Sequence, residues 1–310
     1  MKKFLLKIPI YIIGILLLLE LLVRVLHLYT EDPPRFIDES LVEKRVPGHQ
    51  GYAVTGNRNQ NFSKFNINED GFNSHIEFQP SYETYEIAII GDSFIEGFHQ
   101  DYDKSIGVKI EALLDTVQVY QYGYAGYDLA NQMHLINAYK EKFDRIDRII
   151  IYLNYESDLG RGTYQPNYGR IKNLSSPIFK IRDNIKLLSY GSKIGILEPI
   201  KKLFAGSGFE NNSDIDHTSG NLDEQYLSNF KNLIAAYGFD SDKTSILLDS
   251  RTTSTTFLDY CYKNGFDIID FSESFEKSDQ PVTLIYDHHW NNHGRDLIAK
   301  SVAEHFLKTK

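Results

Sequence analysis

The sequence predicts an α/β domain, a three-layer sandwich with a central parallel sheet, behind one apolar N-terminal helix. Three observations predict it. Tyr85-Glu86-Ile87-Ala88-Ile89-Ile90 and Arg148-Ile149-Ile150-Ile151-Tyr152-Leu153 are short, continuous apolar runs, the pattern of strands buried on both faces. Such runs alternate with amphipathic helical segments, and alternating strands and helices build parallel sheets covered on both sides. The 310 residues, 42% of them hydrophobic, suffice for one sizeable domain and a short extra segment.

Taken in order, residues 1–30 read as a transmembrane signal anchor. Met1-Lys2-Lys3 opens the chain and an apolar stretch follows from Phe4 to Leu28, interrupted by Lys7, Glu20 and Arg24. A bilayer core needs about 20 mostly apolar residues as a helix. Glu20 and Arg24 stand four apart and can pair on one helix face. A cleaved signal peptide would need small residues before its cleavage site, and Leu-Leu-Val-Arg-Val-Leu-His offers none. Lys2, Lys3 and Lys7 keep the N-terminus cytoplasmic by the positive-inside rule, so the remainder is expected in the periplasm or outside the cell.

Glu31-Asp32-Pro33-Pro34 ends the helix, and residues 31–83 read as a linker and short β lead-in, with a strand at Phe65-Asn66-Ile67-Asn68 and a turn at Glu69-Asp70-Gly71. The catalytic domain is expected over 84–310. Helices are expected at 104–114, 128–143, 223–237, 255–263 and 292–307. Strands are expected at 85–90, 117–120, 148–153, 245–248 and 267–270. Residues 160–220, rich in Gly, Ser, Asn and Lys, break the rhythm and read as an insertion, either a lid over one end of the sheet or a plain surface excursion.

Composition excludes several functions. A formal net charge of −9 with no long Lys/Arg run argues against nucleic acid as a partner. The single cysteine, Cys261, rules out an intrachain disulfide and a cysteine-rich metal site, and its amphipathic surroundings read as those of a buried thiol.

Four segments carry chemistry. Gly91-Asp92-Ser93-Phe94 follows the first core strand, where open α/β sheets build their sites. Gly-Asp-Ser arises by chance in roughly one chain in ten of this length. Its position at a strand-to-helix turn singles it out, because there Ser93 is exposed and its N–H can face an oxyanion. Gly123-Tyr124-Ala125-Gly126 follows the second strand, where a glycine can bring a backbone N–H to a reacting carbonyl. Asn154 follows the strand ending at Leu153, and its amide can donate to an oxyanion. Tyr286-Asp287-His288-His289-Trp290-Asn291-Asn292-His293-Gly294 supplies a base and a carboxylate to orient it. Asn291 or Asn292 reads as the cap of the last helix, which puts His289 in the loop before it. His289 and His293, four apart, also have the spacing of metal ligands, but no metal and no cofactor is expected.

Together these segments resemble the SGNH/GDSL hydrolase family over about residues 85–307. The resemblance implies an SGNH-hydrolase, flavodoxin-like fold and a triad of Ser93, Asp287 and His289. It implies an oxyanion hole of the Ser93 and Gly126 N–H groups with Asn154. The third block departs from the family's Gly-x-Asn-Asp. An ungapped alignment sets Asn154 at the glycine and Glu156 at the asparagine, and Asn154 is preferred because a carboxylate cannot donate. The late block spaces Asp287 and His289 by two where the family uses three, and His288 is the alternative base. Asn66-Ile67-Asn68-Glu69-Asp70-Gly71-Phe72 resembles the lead-in of membrane-anchored members found in envelope or polysaccharide acylation systems. The expected function is a serine esterase acting on an acylated carbohydrate or another small ester. The alternatives are an O-acyltransferase working with a membrane acyltransferase partner, or an inactive glycan-binding scaffold.

Overall fold

The computed structural model describes residues 7–55, 61–196, 219–285 and 287–309. Helix α1 (Ile8–Val25) has a mean hydropathy of 2.4 and is long and apolar enough to cross a membrane. Pro9 sits in its first turn, where a missing N–H breaks no helical bond. Residues 31–83, expected as linker and lead-in, contain two antiparallel ribbons: β1 (Arg35–Ile37) with β2 (Glu43–Arg45), and β3 (Gln50–Thr55) with β4 (Asn61–Asn66). The chain passes from α1 directly into contact with β3, since Thr30 Oγ1 accepts from Val54 N and Glu31 N donates to Tyr52 O.

The α/β domain then runs β5 (Tyr85–Gly91), α2 (Ser93–Glu96), α3 (Ile106–Leu113), β6 (Val117–Gly123), α4 (Leu129–Ala138), α5 (Lys140–Phe143), β7 (Arg148–Tyr152) and α6 (Tyr155–Asp158). The insertion contributes α7 (Tyr168–Leu174), α8 (Pro177–Asn184) and α9 (Lys186–Lys193); its residues 197–218 lie outside the described residues. The domain closes with α10 (Ser219–Tyr237), β8 (Thr244–Leu248), α11 (Thr255–Lys263), β9 (Asp267–Asp270), α12 (Ser272–Glu276), the ribbon β10 (Thr283–Leu284) and β11 (Asp287–Trp290), and α13 (Asn292–Thr309).

Five parallel strands form one sheet in the order β6-β5-β7-β8-β9. Strand alternation sends Ile87, Ile89, Val119 and Ile150 to one face, where they pack with α3 and α13. Ala88, Ile90, Tyr120 and Ile151 go to the other, against α4, α10 and α11, with Cys261 buried among them. These are the two cores of the three-layer sandwich. The order reverses at β5, flanked by β6 and β7, and such a switch point opens a crevice at the strands' carboxyl ends. The single helix expected over 128–143 breaks at Tyr139 (φ −110°, ψ 34°), whose hydroxyl is held by Asp38 and Lys44.

Candidate active site

Ser93 opens α2 at the carboxyl end of β5. The turn is tight enough to demand glycine on both sides. A Cβ on Gly91 would lie 2.4 Å from Ile95 Cγ1, and one on Gly123, its register partner in β6, would lie 2.0 Å from Glu96 N. Asp92 caps the turn by accepting from Phe94 N at 2.8 Å. As the first residue of a helix, Ser93 has an N–H with no intrahelical acceptor.

His289 reaches this serine from the other end of the domain. It was expected in a loop, and it lies instead on strand β11. The correction explains the two-residue spacing from Asp287. Alternation on a strand turns Asp287 and His289 to one side and His288 to the other, and His288 is exposed. Trp290 is buried beside Phe94, Tyr152 and Phe271, which pins the strand. His289 Nε2 lies 2.7 Å from Ser93 Oγ, and its Nδ1 is hydrogen-bonded to Asp287 Oδ1. Ser93, His289 and Asp287 are therefore brought together in one hydrogen-bonded chain.

A second histidine, unmarked in the sequence, joins them. His99 stacks on His289 with ring centroids 3.7 Å apart, and its Nε2 lies 3.3 Å from Asp287 Oδ2. Asp287 thus faces an imidazole on each oxygen. Burial alone would raise its pKa, but the hydrogen bonds from His289 and the nearness of the two imidazoles hold it below the usual carboxylate value. Burial, with His289 alongside, pushes His99 down to about 4. One ligand atom each from His99, Asp287 and His289 falls within 4.8 Å of the others, a donor set that suits a divalent transition ion. His293, four residues from His289, is engaged elsewhere, with its Nε2 2.9 Å from Ser278 Oγ.

Gly126 adopts φ +94°, a left-handed conformation that favours glycine. Arg170, from α7 of the insertion, lies over it: a Cβ there would meet Arg170 Nη1 at 2.4 Å. Arg170 and Arg35 both donate to the Ala125 carbonyl at 2.9 Å. That carbonyl belongs to the peptide unit carrying the Gly126 N–H, so two cations polarise the N–H as a donor. Burial and the neighbouring Arg35 lower the Arg170 pKa. Arg45, more deeply buried at 1% exposure, pairs with Glu96 at 2.8 Å and Asp32 at 2.5 Å, and Glu96 also accepts from Ala125 N. Neither arginine at 35 or 170 was marked by any motif. Both act through contacts with residues tens of positions away.

Asn154 follows the carboxyl end of β7, the strand beside β5, as the N-cap residue of α6. Its backbone N–H donates to Asp158 Oδ2, at the far end of α6, at 2.9 Å. Its side chain is outside the residues that line the cleft. Behind the nucleophile lie two buried carboxyls. Burial, with the charge of Glu96, pushes Asp92 up to about 7, and burial with Asp92 raises Asp158 well above the usual range.

Ser93, His99, Asp287 and His289 form one end of a cleft of about 690 Å³. Its walls come from residues 30–35, from β3, and from α8 and α9 of the insertion. The described part of the insertion therefore borders the site.

Among solved structures, the chain is similar in fold to a member of the lipolytic protein G-D-S-L family from Veillonella parvula. That match is 14% identical, spans 72% of this chain and 99% of that one, and has a TM-score of 0.41. A lipase/acylhydrolase from Enterococcus faecalis is 11% identical over 73% of this chain and 96% of its own, with a TM-score of 0.41. A GDSL-like lipase from Bacteroides thetaiotaomicron is 9% identical over 75% and 92%, with a TM-score of 0.40. No family model and no curated protein matches the sequence. The chemistry of the site rests on its own atoms.

Proposed function

We propose that the protein is a serine esterase that works through an acyl-enzyme on Ser93, anchored by α1 with its α/β domain outside the cytoplasmic membrane. The observation that carries this reading is His289 bridging Ser93 Oγ and Asp287. A serine hydroxyl at neutral pH needs a base within hydrogen-bond reach, and the base needs a partner to fix its tautomer.

In this reading Ser93 Oγ attacks the ester carbonyl carbon as its proton passes to His289 Nε2. The oxyanion is held by the Ser93 and Gly126 N–H groups, with the Asn154 amide as a third donor. The carbonyl re-forms, the ester C–O bond breaks, and His289 returns its proton to the leaving alkoxide. Water then attacks the acyl-Ser93 carbonyl carbon while His289 takes its proton; the acyl–Oγ bond breaks, His289 returns the proton to Ser93 Oγ, and the free acid leaves. Asp287 keeps the Nδ1 proton in place and stabilises the imidazolium throughout. His99 holds the second Asp287 oxygen and so steadies the carboxylate's orientation.

The substrate class is an acylated carbohydrate or another small ester. Full-length protein in detergent, mixed with an activated aryl acetate, should give a burst of phenol followed by slower turnover, and Ser93→Ala should abolish both. Persistent turnover in Ser93→Ala would sink the mechanism. Transfer of acetyl to an added sugar, in place of free acetate, would assign the acceptor role to a hydroxyl and favour the acyltransferase. Retained sugar binding without turnover would favour a scaffold. A second reading has its own observation, the donor set of His99, Asp287 and His289. Loss of activity on chelation, restored by a transition ion, would favour it over the triad.

A further inference from the structure

The helices that wall the Ser93 cleft also pack against the N-terminal apolar helix. Arg182, Lys186, Ser189 and Lys193 are among the α8–α9 residues that line the cleft. Positions 186, 189 and 193 recur at three- to four-residue spacing, so one polar face of α9 is turned to the cleft. The same helix pair is bound to α1. Glu20, the acidic interruption of the apolar stretch, accepts the N–H groups of Lys186 at 3.0 Å and Leu187 at 2.7 Å. Arg24 donates to Glu20 Oε1 and to the Asn184 carbonyl, each at 2.7 Å. A carboxylate thus caps the first turn of α9 and a guanidinium meets the last turn of α8, the ends that favour each charge. The two charged residues of the span clamp α1 to the α8–α9 junction.

The height of this clamp matters. The apolar surface of α1 continues past Glu20, with Leu21, Leu22, Val25 and Leu26 all exposed. At 1.5 Å per residue the axis from Ile8 to Leu26 runs about 28 Å, close to the hydrocarbon thickness of a bilayer. A span that buries Leu26 in lipid holds the clamp from about 3 Å (Arg24) to about 9 Å (Glu20) below that level. Amphipathic helices lie in the interface at about that depth, 5–10 Å. Isoleucines on and beside the helix pair are open to the surroundings: Ile181 of α8 is 54% exposed, and Ile185 and Ile194, which flank α9, are each 42% exposed.

The geometry points to α8–α9 lying in the outer interface of the bilayer, with the cleft taking an ester borne by an amphiphile of that leaflet. The acylated head group enters along the polar face of α9 while its tail stays in lipid. This inference rests on α1 as a retained span and on Ser93 as the nucleophile.

Placement is tested by fluorescence. The chain has one tryptophan, the buried Trp290, so a new one reports with little background. Full-length Ile181→Trp and Leu17→Trp are placed in phosphatidylcholine vesicles whose acyl chains carry bromine. Both should lose at least half of their added emission. Quenching of Leu17→Trp alone overturns the interfacial placement and leaves the span intact. Quenching of neither removes the span and the inference with it.

Substrate class is tested by rate. An acetylated alkyl glucoside held in phosphatidylcholine vesicles is compared with free acetylated glucose and with a soluble aryl acetate. The vesicle-borne ester should be turned over at least tenfold faster than the free sugar ester. Glu20→Ala with Arg24→Ala should remove that advantage while leaving aryl acetate turnover within twofold. Equal rates on the two sugar esters, or an equal loss on all three substrates, would overturn the inference. Absence of aryl acetate turnover in the wild type would instead remove the reading of Ser93.

Discussion

At the scale of single residues, the site is a chain of groups whose charges are set by their neighbours. Asp287→Asn keeps the shape but leaves His289 Nδ1–H without a charged acceptor, and should lower kcat by roughly 10³-fold or more with little change in KM. With Asn154 as a third oxyanion donor, Asn154→Ala should cost about 10²-fold in kcat. An unchanged kcat would leave the oxyanion to the two backbone groups. Asp92 gives a stability prediction. Its folded-state pKa is raised from 3.8 to about 7, so the folded chain binds this proton more tightly. Asp92 therefore opposes folding as pH climbs through that window. His99, lowered from 6.5 to about 4, acts the other way between those values, because there the unfolded chain takes up the proton. Comparison with Asp92→Asn reads the first effect together with the relief of Asp158, whose pKa the Asp92 charge raises. The variant should gain up to about 4 kcal/mol on the wild type between pH 4 and pH 7.5, read from denaturant midpoints. A difference that does not change with pH would contradict the assignment.

At the scale of elements, what was legible in the sequence was what local pattern encodes. Ile87 to Ile90 read as a strand because both sheet faces are covered and every residue there is fully buried. Ser93, Gly126 and Asn154 were singled out because each follows a strand's carboxyl end, and His289 because His-Trp-Asn-x-x-Gly resembles the family's late block. His99, Arg35, Arg45 and Arg170 were missed because their roles depend on contacts that only the fold creates. Arg45 sits in a strand of polar letters, Glu43-Lys44-Arg45, yet its side chain is 1% exposed against Glu96 at 2%. That pair ties β2 to the nucleophile turn. Arg45→Ala leaves a buried carboxylate without its partner and should destabilise the fold by roughly 3–5 kcal/mol, measured by chemical denaturation. Gly123→Ala should be as damaging, because α2 packs directly on that position. A folded, active Gly123→Ala protein would contradict the geometry of the turn.

At the scale of the whole molecule, the sheet's switch point, the ribbons of residues 31–66 and the insertion converge on one cleft, and α1 packs against the insertion's helices. The insertion was read as either lid or surface excursion, since a segment rich in Gly, Ser and Asn carries no strong periodicity. Its α7 delivers Arg170 to the Gly126 peptide and its α8–α9 pair walls the cleft. The anchor reading predicts that membrane-extracted protein retains residues ahead of Glu20 on N-terminal sequencing, and a chain starting after residue 20 would contradict it. The central claim, that Ser93 carries an acyl group, is tested most directly by peptide mass spectrometry of protein quenched in acid during turnover of an aryl acetate. The account predicts one added acetyl group on the peptide containing Ser93, absent from Ser93→Ala. Turnover with no acetylated Ser93, or with acetyl on another residue and full activity in Ser93→Ala, would contradict it.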